Sequence, residues 1–113
     1  MKAAYRLTKN SHFSFTYKKG KYYACKNLVL VYVRTGCDNL KVGFSVSKKV
    51  GKSVVRNKIK RRIREAFAKH IPFLKQDYNY VFIARKAIIN DDYKKISASV
   101  EYLLKKTSMF LRQ

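Results

Sequence analysis

The chain has 113 residues, 47% of them hydrophobic and 14% aromatic, enough to fill one core but too few for a second, so a single domain over residues 1–113 is expected. Its 27 Lys and Arg against 6 Asp and Glu give a formal charge of +21, a self-repulsion that an anionic partner relieves, with nucleic acid the first candidate. No apolar run approaches the ~20 residues of a membrane span and the N-terminus has no signal-peptide core, which points to a cytoplasmic chain without a membrane partner; no small-molecule substrate is expected either.

Asn10-Ser11 reads as a capping pair and Gly20 as the left-handed residue after a helix, so a first helix is predicted over Asn10 to Lys19. Phe13 and Tyr17 lie four apart on one face of it, with Thr16 beside them, while Phe15 projects elsewhere. Lys21 to Cys25 and Asn27 to Arg34 are rich in Tyr and Val and read as strands, and Thr35 to Asn39 as a turn before another, so a hairpin is expected. In the strand after the turn Leu40, Val42, Phe44 and Val46 alternate with Lys41, Gly43, Ser45 and Ser47. That puts the apolar set on a buried face and the small polar set where a ligand has room.

A loop from Lys48 to Lys52 leads to Ser53 as an expected cap, and a helical pattern runs from there to His70, ahead of Pro72. Tyr78 to Ala84 is the next strand, and Asp91-Asp92 open a final helix with Tyr93, Ile96, Val100, Leu103, Thr107 and Leu111 at helical spacing. The order helix, two or three strands, helix, strand, helix predicts an α/β or α+β domain, a sheet with helices packed against it.

The chemistry of a protein nuclease is sparse. Asp38, Glu65, Asp77, Asp91, Asp92 and Glu101 are scattered along the chain, whereas a two-metal site needs several converging carboxylates. His12 and His70 have no partner at a ligand or triad spacing, and Cys25 and Cys37 lack the spacing of a zinc or redox pair and read as reduced thiols. Neither a catalytic residue nor a metal site is assigned. If a phosphodiester is cleaved here, another molecule holds the metal.

Cations concentrate between Lys48 and His70, where ten Lys or Arg accompany one acid, Glu65. On a wheel at about 100° per residue, Val55, Ile59, Ile63, Ala66, Phe67 and His70 form one stripe, the docking side. Asn57, Lys60, Arg61, Arg64 and Ala68 form a second face without an acid, and Lys58, Arg62, Glu65 and Lys69 a third that reads as solvated surface. The alternative, that the whole charge run is a solvated face, fits poorly, because such faces mix signs for i,i+4 support. A row of cations matches closely spaced phosphates of RNA or of DNA.

The run Ser45-Val46-Ser47-Lys48-Lys49-Val50-Gly51-Lys52, followed by Arg56-Asn57-Lys58-Ile59-Lys60-Arg61-Arg62-Ile63-Arg64-Glu65-Ala66-Phe67, resembles the signature of the bacterial ribonuclease P protein. Arg6-Leu7, Phe13, Tyr17, Gly20 and Ile83-Ala84-Arg85 extend the likeness over almost the whole chain. The resemblance implies an α-β-β-β-α-β-α domain with a mixed sheet of about four strands and a left-handed β-α-β crossover, an exception to the usual hand. It implies that Lys48, Lys49, Lys52, Arg56, Asn57, Lys60, Arg61 and Arg64 contact ribonuclease P RNA. It also implies that Phe13, Tyr17, Tyr32, Ser45 and Ser47 line a cleft for the single-stranded leader of precursor tRNA. Mg²⁺ would be held mainly by the RNA subunit. On the wheel Arg56 falls toward the apolar stripe, where bracing the preceding loop is an alternative role.

Two positions depart from the family pattern. Val31 stands where relatives carry an aromatic, and the neighbouring Tyr32 reaches the cleft only if the register differs, since alternation turns it to the opposite face. Thr16 replaces a common aliphatic, with Phe15 as the candidate substitute. A ribosomal or other structural RNA-binding protein would share the charge and size; the aromatic helix opposite a small-residue strand argues against it.

Overall fold

The computed structural model of the chain describes residues 1–112. Its elements run α1 (Asn10–Lys19), β1 (Lys21–Ala24), β2 (Leu28–Arg34), β3 (Lys41–Ser45), α2 (Ser53–Ala68), β4 (Tyr78–Ala84) and α3 (Tyr93–Lys106), with short 3₁₀ turns between some of them. The strands form one mixed sheet in the order β1-β2-β4-β3. β1 with β2 and β2 with β4 are antiparallel, while β3 lies parallel to β4. β1 and β2 form a hairpin, but none closes across the Thr35–Asn39 turn, where the sequence predicted one. β2 and β3, although joined by a short turn, do not pair, because β4 comes back through α2 to lie between them.

The sheet separates two apolar layers. Leu28, Leu30, Val42, Val46, Tyr80 and Phe82 meet α2 and α3 on one face, where Ile59, Ile63, Phe67, Ile96, Val100 and Leu103 are buried. Each such side chain contributes about 1.5–3 kcal/mol by leaving water. The other face carries a smaller cluster of Leu7, Val31 and Val81, joined by Phe13 of α1 and by the half-buried Val29 and Ile83. Arg6 bridges to Val42 beside β3, so the N-terminal segment covers part of that edge.

Polar groups inside are matched. The Thr16 hydroxyl donates to the His12 carbonyl at 2.8 Å and accepts from the Asn79 amide at 3.3 Å, which is why a threonine is tolerated at a fully buried position under α1. Phe15 does not substitute for it; that ring is 43% exposed. The Tyr80 hydroxyl donates to the Lys75 carbonyl at 2.8 Å, and burial pushes its pKa up.

Several helix ends differ from expectation. Lys9 and Lys52, not Asn10 or Ser53, occupy the N-cap positions of α1 and α2, and neither makes a side-chain cap. Asp92 does cap α3, accepting from the Lys95 amide at 2.9 Å. α3 stops at Lys106: the Thr107 hydroxyl bonds the Leu103 carbonyl, Ser108 turns the chain at φ 60°, and Leu111 leaves the helical stripe to bond the Phe73 carbonyl.

Gly20 is also used differently. Its φ of −80° is open to any residue, so the left-handed role is absent. Close packing needs the glycine instead, since an added Cβ would lie 2.4 Å from the Thr16 carbonyl oxygen and 2.9 Å from that of Tyr32. Both obstacles are backbone and cannot swing aside. Gly20→Ala is expected to destabilise the fold by about 1–3 kcal/mol, read as a lower urea midpoint at unchanged m-value; an unchanged midpoint would mean that the α1–β1 junction relaxes freely.

A basic helix and an aromatic trough joined at a sheet edge

α2 docks through the predicted stripe: Ile59, Ile63, Ala66 and Phe67 are buried, with Val55 and Ala68 packed at the margin. His70 continues it, edge-on to Phe110 at 5.3 Å, and burial lowers the histidine pKa. With that side anchored, Asn57 and Arg61 are exposed and Lys60 and Arg64 half-buried along the neighbouring face. Among the described residues the ion pairs are Arg34–Asp77 and Lys105–Glu101, so no cation between Lys48 and Lys69 is neutralised by a carboxylate. Their charge remains available to a polyanion.

Arg64 is set more firmly than its neighbours. Its guanidinium lies 5.9 Å from the centre of the Phe44 ring, and among the described residues its buried Nε has no hydrogen-bond partner. The aromatic face holds the planar cation in one orientation. Arg56 braces the preceding loop, donating from Nε to the Gly51 carbonyl at 3.1 Å. That loop is also pinned by buried Val46 and Val50, so the exposed Lys48, Lys49 and Lys52 project from a fixed base.

The side read as solvated surface is not all free. Arg62 donates to the Asp91 carbonyl at 3.1 Å, and Lys69 bonds the Ser97 hydroxyl at 2.7 Å while lying 5.8 Å from the Tyr93 ring. Those two residues tie α2 to α3 and to the segment before it. No helical period in one sequence reveals which neighbour a polar face will meet.

On the opposite face of the sheet the Phe13 and Tyr17 rings lie 6.3 Å apart, as their spacing predicts. Phe13 sits over Gly43, where an added Cβ would lie 2.5 Å from the ring. Small residues in this strand therefore admit the helix itself as well as leaving room beside it. Ser45, two residues on, is half-buried on the same side, and Ser47 is exposed beyond the strand end.

Tyr32 does not join them. It pairs with Lys21 and Tyr80, packs on the main core and contacts the Tyr78 ring at 6.4 Å. Val31 takes the α1 side, so ordinary pleating turns Tyr32 away from Phe13 and Tyr17.

The two surfaces meet around the edge of β3. A cavity of about 210 Å³ is lined by Lys60 and Arg64 from α2, Phe13 from α1, Gly43 and Phe44 from β3, and Arg6 from the N-terminal segment. Arg6 and Phe44 are the contributions that sequence reasoning missed. Alternation places Phe44 with the apolar set, but only the edge position of β3 brings it to the rim. Among the described residues no three His, Cys, Asp or Glu side chains converge as a metal cradle, both cysteines are free thiols, and no helix is long and apolar enough to cross a membrane.

Fold and surface together define a small, basic α+β protein with a cationic helix face that no carboxylate neutralises among the described residues. A family model described as Ribonuclease P matches residues 1–108. The chain is 41% identical over 109 residues to the ribonuclease P protein component of Alkaliphilus oremlandii, covering 96% of each, and 46% identical over 109 residues to that of Clostridium kluyveri, covering 94% of this chain and 96% of the other. A solved structure of the Staphylococcus aureus RNase P protein superposes with a TM-score of 0.89 at 38% identity, over 95% of this chain and 98% of that one. The Thermotoga maritima protein does so at 0.81 and 28%, over 89% and 96%. The chain belongs to the ribonuclease P protein family, whose members are components of an endoribonuclease.

Proposed function

We propose that this chain is the RNA-binding subunit of a ribonucleoprotein that removes the 5′ leader from precursor tRNA, holding the catalytic RNA on one side and the leader on the other. The observation that carries the reading is the cavity at the β3 edge, where Lys60 and Arg64 share a wall with Phe13. Cations that track phosphates and a ring that stacks on an unpaired base thus border one continuous surface.

In this reading Lys48, Lys49, Lys52, Asn57, Lys60, Arg61 and Arg64 meet ribonuclease P RNA, and Arg56 stiffens the loop that presents the lysines. Phe13 and Tyr17 stack on leader bases over a floor that includes Ser45, with Ser47 at its exit. Stacking tolerates any base, which suits an enzyme that processes many leaders. Among the described residues no three His, Cys, Asp or Glu side chains converge, and in this reading the metal and the hydrolysis belong to the RNA subunit. The protein's share is affinity and positioning: it screens the repulsion between two polyanions and fixes the leader relative to the scissile bond.

Reconstitution tests the whole reading. Added to a bacterial ribonuclease P RNA at low Mg²⁺, the protein is expected to restore precursor cleavage, and no rescue at saturating protein would refute the assignment. For the RNA-binding face, Arg61→Ala should lower the slope of log affinity for that RNA against log salt by about one, because one phosphate contact is lost. An unaltered slope would remove Arg61 from the contact. For the cleft, Phe13→Ala and Tyr17→Ala should weaken holoenzyme binding of precursor tRNA by about 1–3 kcal/mol per lost stack and leave mature tRNA alone; equal losses for both would argue against a leader site.

A further inference from the structure

We infer that Tyr22 is a stacking platform for the leader, on the same face of the sheet as Phe13 but at the opposite edge; this rests on reading the α1 side of the sheet as the leader site. The register supplies the geometry. Tyr22 pairs with Val31, Val31 with Val81, and Val81 with Gly43, so these four residues form one row straight across all four strands. Residues paired in this way point to the same face of a sheet. Val31 and Val81 belong to the cluster beneath α1, and Gly43 lies directly under the Phe13 ring. Tyr22 therefore rises from the same face as Phe13. Three strand spacings of about 4.8 Å put the two ends of the row about 14 Å apart.

The next row points the same way. Ala24 pairs with Val29, Val29 with Ile83 and Ile83 with Ser45. Val29 and Ile83 belong to the two central strands, yet they are only half-buried, because α1 covers the sheet incompletely. An open apolar floor thus runs across the strands, flanked by Phe13 and Tyr17 on the helix and by Tyr22 at the β1 edge.

Tyr22 has no structural duty that explains it. Its residue surface is 73% exposed, the most of any aromatic in the described chain. The next residue, Tyr23, faces the other way and meets the Tyr102 ring at 6.3 Å, so β1 offers one tyrosine to the core side and one to the trough. A ring left bare at the end of an apolar floor that Phe13 and Tyr17 flank from the helix fits an unpaired base better than it fits water.

The test compares Tyr22→Ala, Tyr22→Phe and Phe13→Ala in the reconstituted holoenzyme, with affinity measured for precursor tRNA, for mature tRNA and for precursors whose leaders are shortened from the 5′ end. Tyr22→Ala is expected to weaken precursor binding about five- to hundredfold with mature tRNA and thermal stability unchanged, and Tyr22→Phe to retain wild-type affinity. Because the two rings stand far apart, the effects of Tyr22→Ala and Phe13→Ala should vanish at different leader lengths. If Phe13→Ala is leader-specific and Tyr22→Ala is silent, or if both effects vanish at the same length, the platform is overturned while the cleft stands. If neither variant separates precursor from mature tRNA, the cleft reading fails and takes Tyr22 with it.

Discussion

Phe67 sits where α2 meets the sheet, its ring centre 5.6 Å from Tyr80, 5.5 Å from Phe82 and 6.5 Å from Phe44. Tilted and edge-on ring contacts of this kind add to area burial and favour particular orientations. They fix the helix in rotation about its own axis as well as in place. With Ile63 and Ile59 seated one and two turns earlier, the face that carries Lys60, Arg61 and Arg64 has to point away from the core. A charge-rich helix held less firmly would splay under its own repulsion. The aromatic seam therefore makes the cationic edge a surface rather than a cloud.

The same seam links the two faces of the sheet. Phe44 stacks on Phe82 at 6.3 Å and contacts Phe67, while the Arg64 guanidinium lies over its ring. Phe44 belongs to β3, and the residue before it, Gly43, is the seat of Phe13 on the opposite face. Two adjacent residues of one edge strand thus position an arginine on one side and an aromatic ring on the other. Placing β3 at the edge is what allows the two surfaces to communicate around it, and that placement follows from β4 returning parallel to β3 on its inner side.

Charge is handled unevenly. Arg62 and Lys69 are absorbed into polar contacts with α3 and its approach, and Arg56 is turned back on its loop. The remaining cations of the basic segment are left without carboxylate partners among the described residues. A domain with a formal charge of +21 tolerates this because its apolar layers on both faces of the sheet supply the offsetting stability. The repulsion that remains is what a polyanion relieves on binding.

Periodicity and local chemistry were enough to read the helix and strand segments of this chain, the buried stripe and cationic face of α2, the pairing of Phe13 with Tyr17, and the Asp92 cap, because each depends on residues within a turn or two of one another. The motif from Ser45 to Phe67 was likewise legible as a family likeness. Which strands pair, what the polar flank of α2 meets, why Gly20 and Gly43 must be glycine, and which aromatics share the trough were decided only by the tertiary structure. Each of those depends on groups distant in sequence: β4 inserted between β2 and β3, α3 laid against Arg62 and Lys69, and the pleat that turns Tyr32 inward while the β1–β2 register brings Tyr22 into line with Phe13. A single chain records its local periods. The contacts that close across the sheet arise only when all of those periods are packed at once.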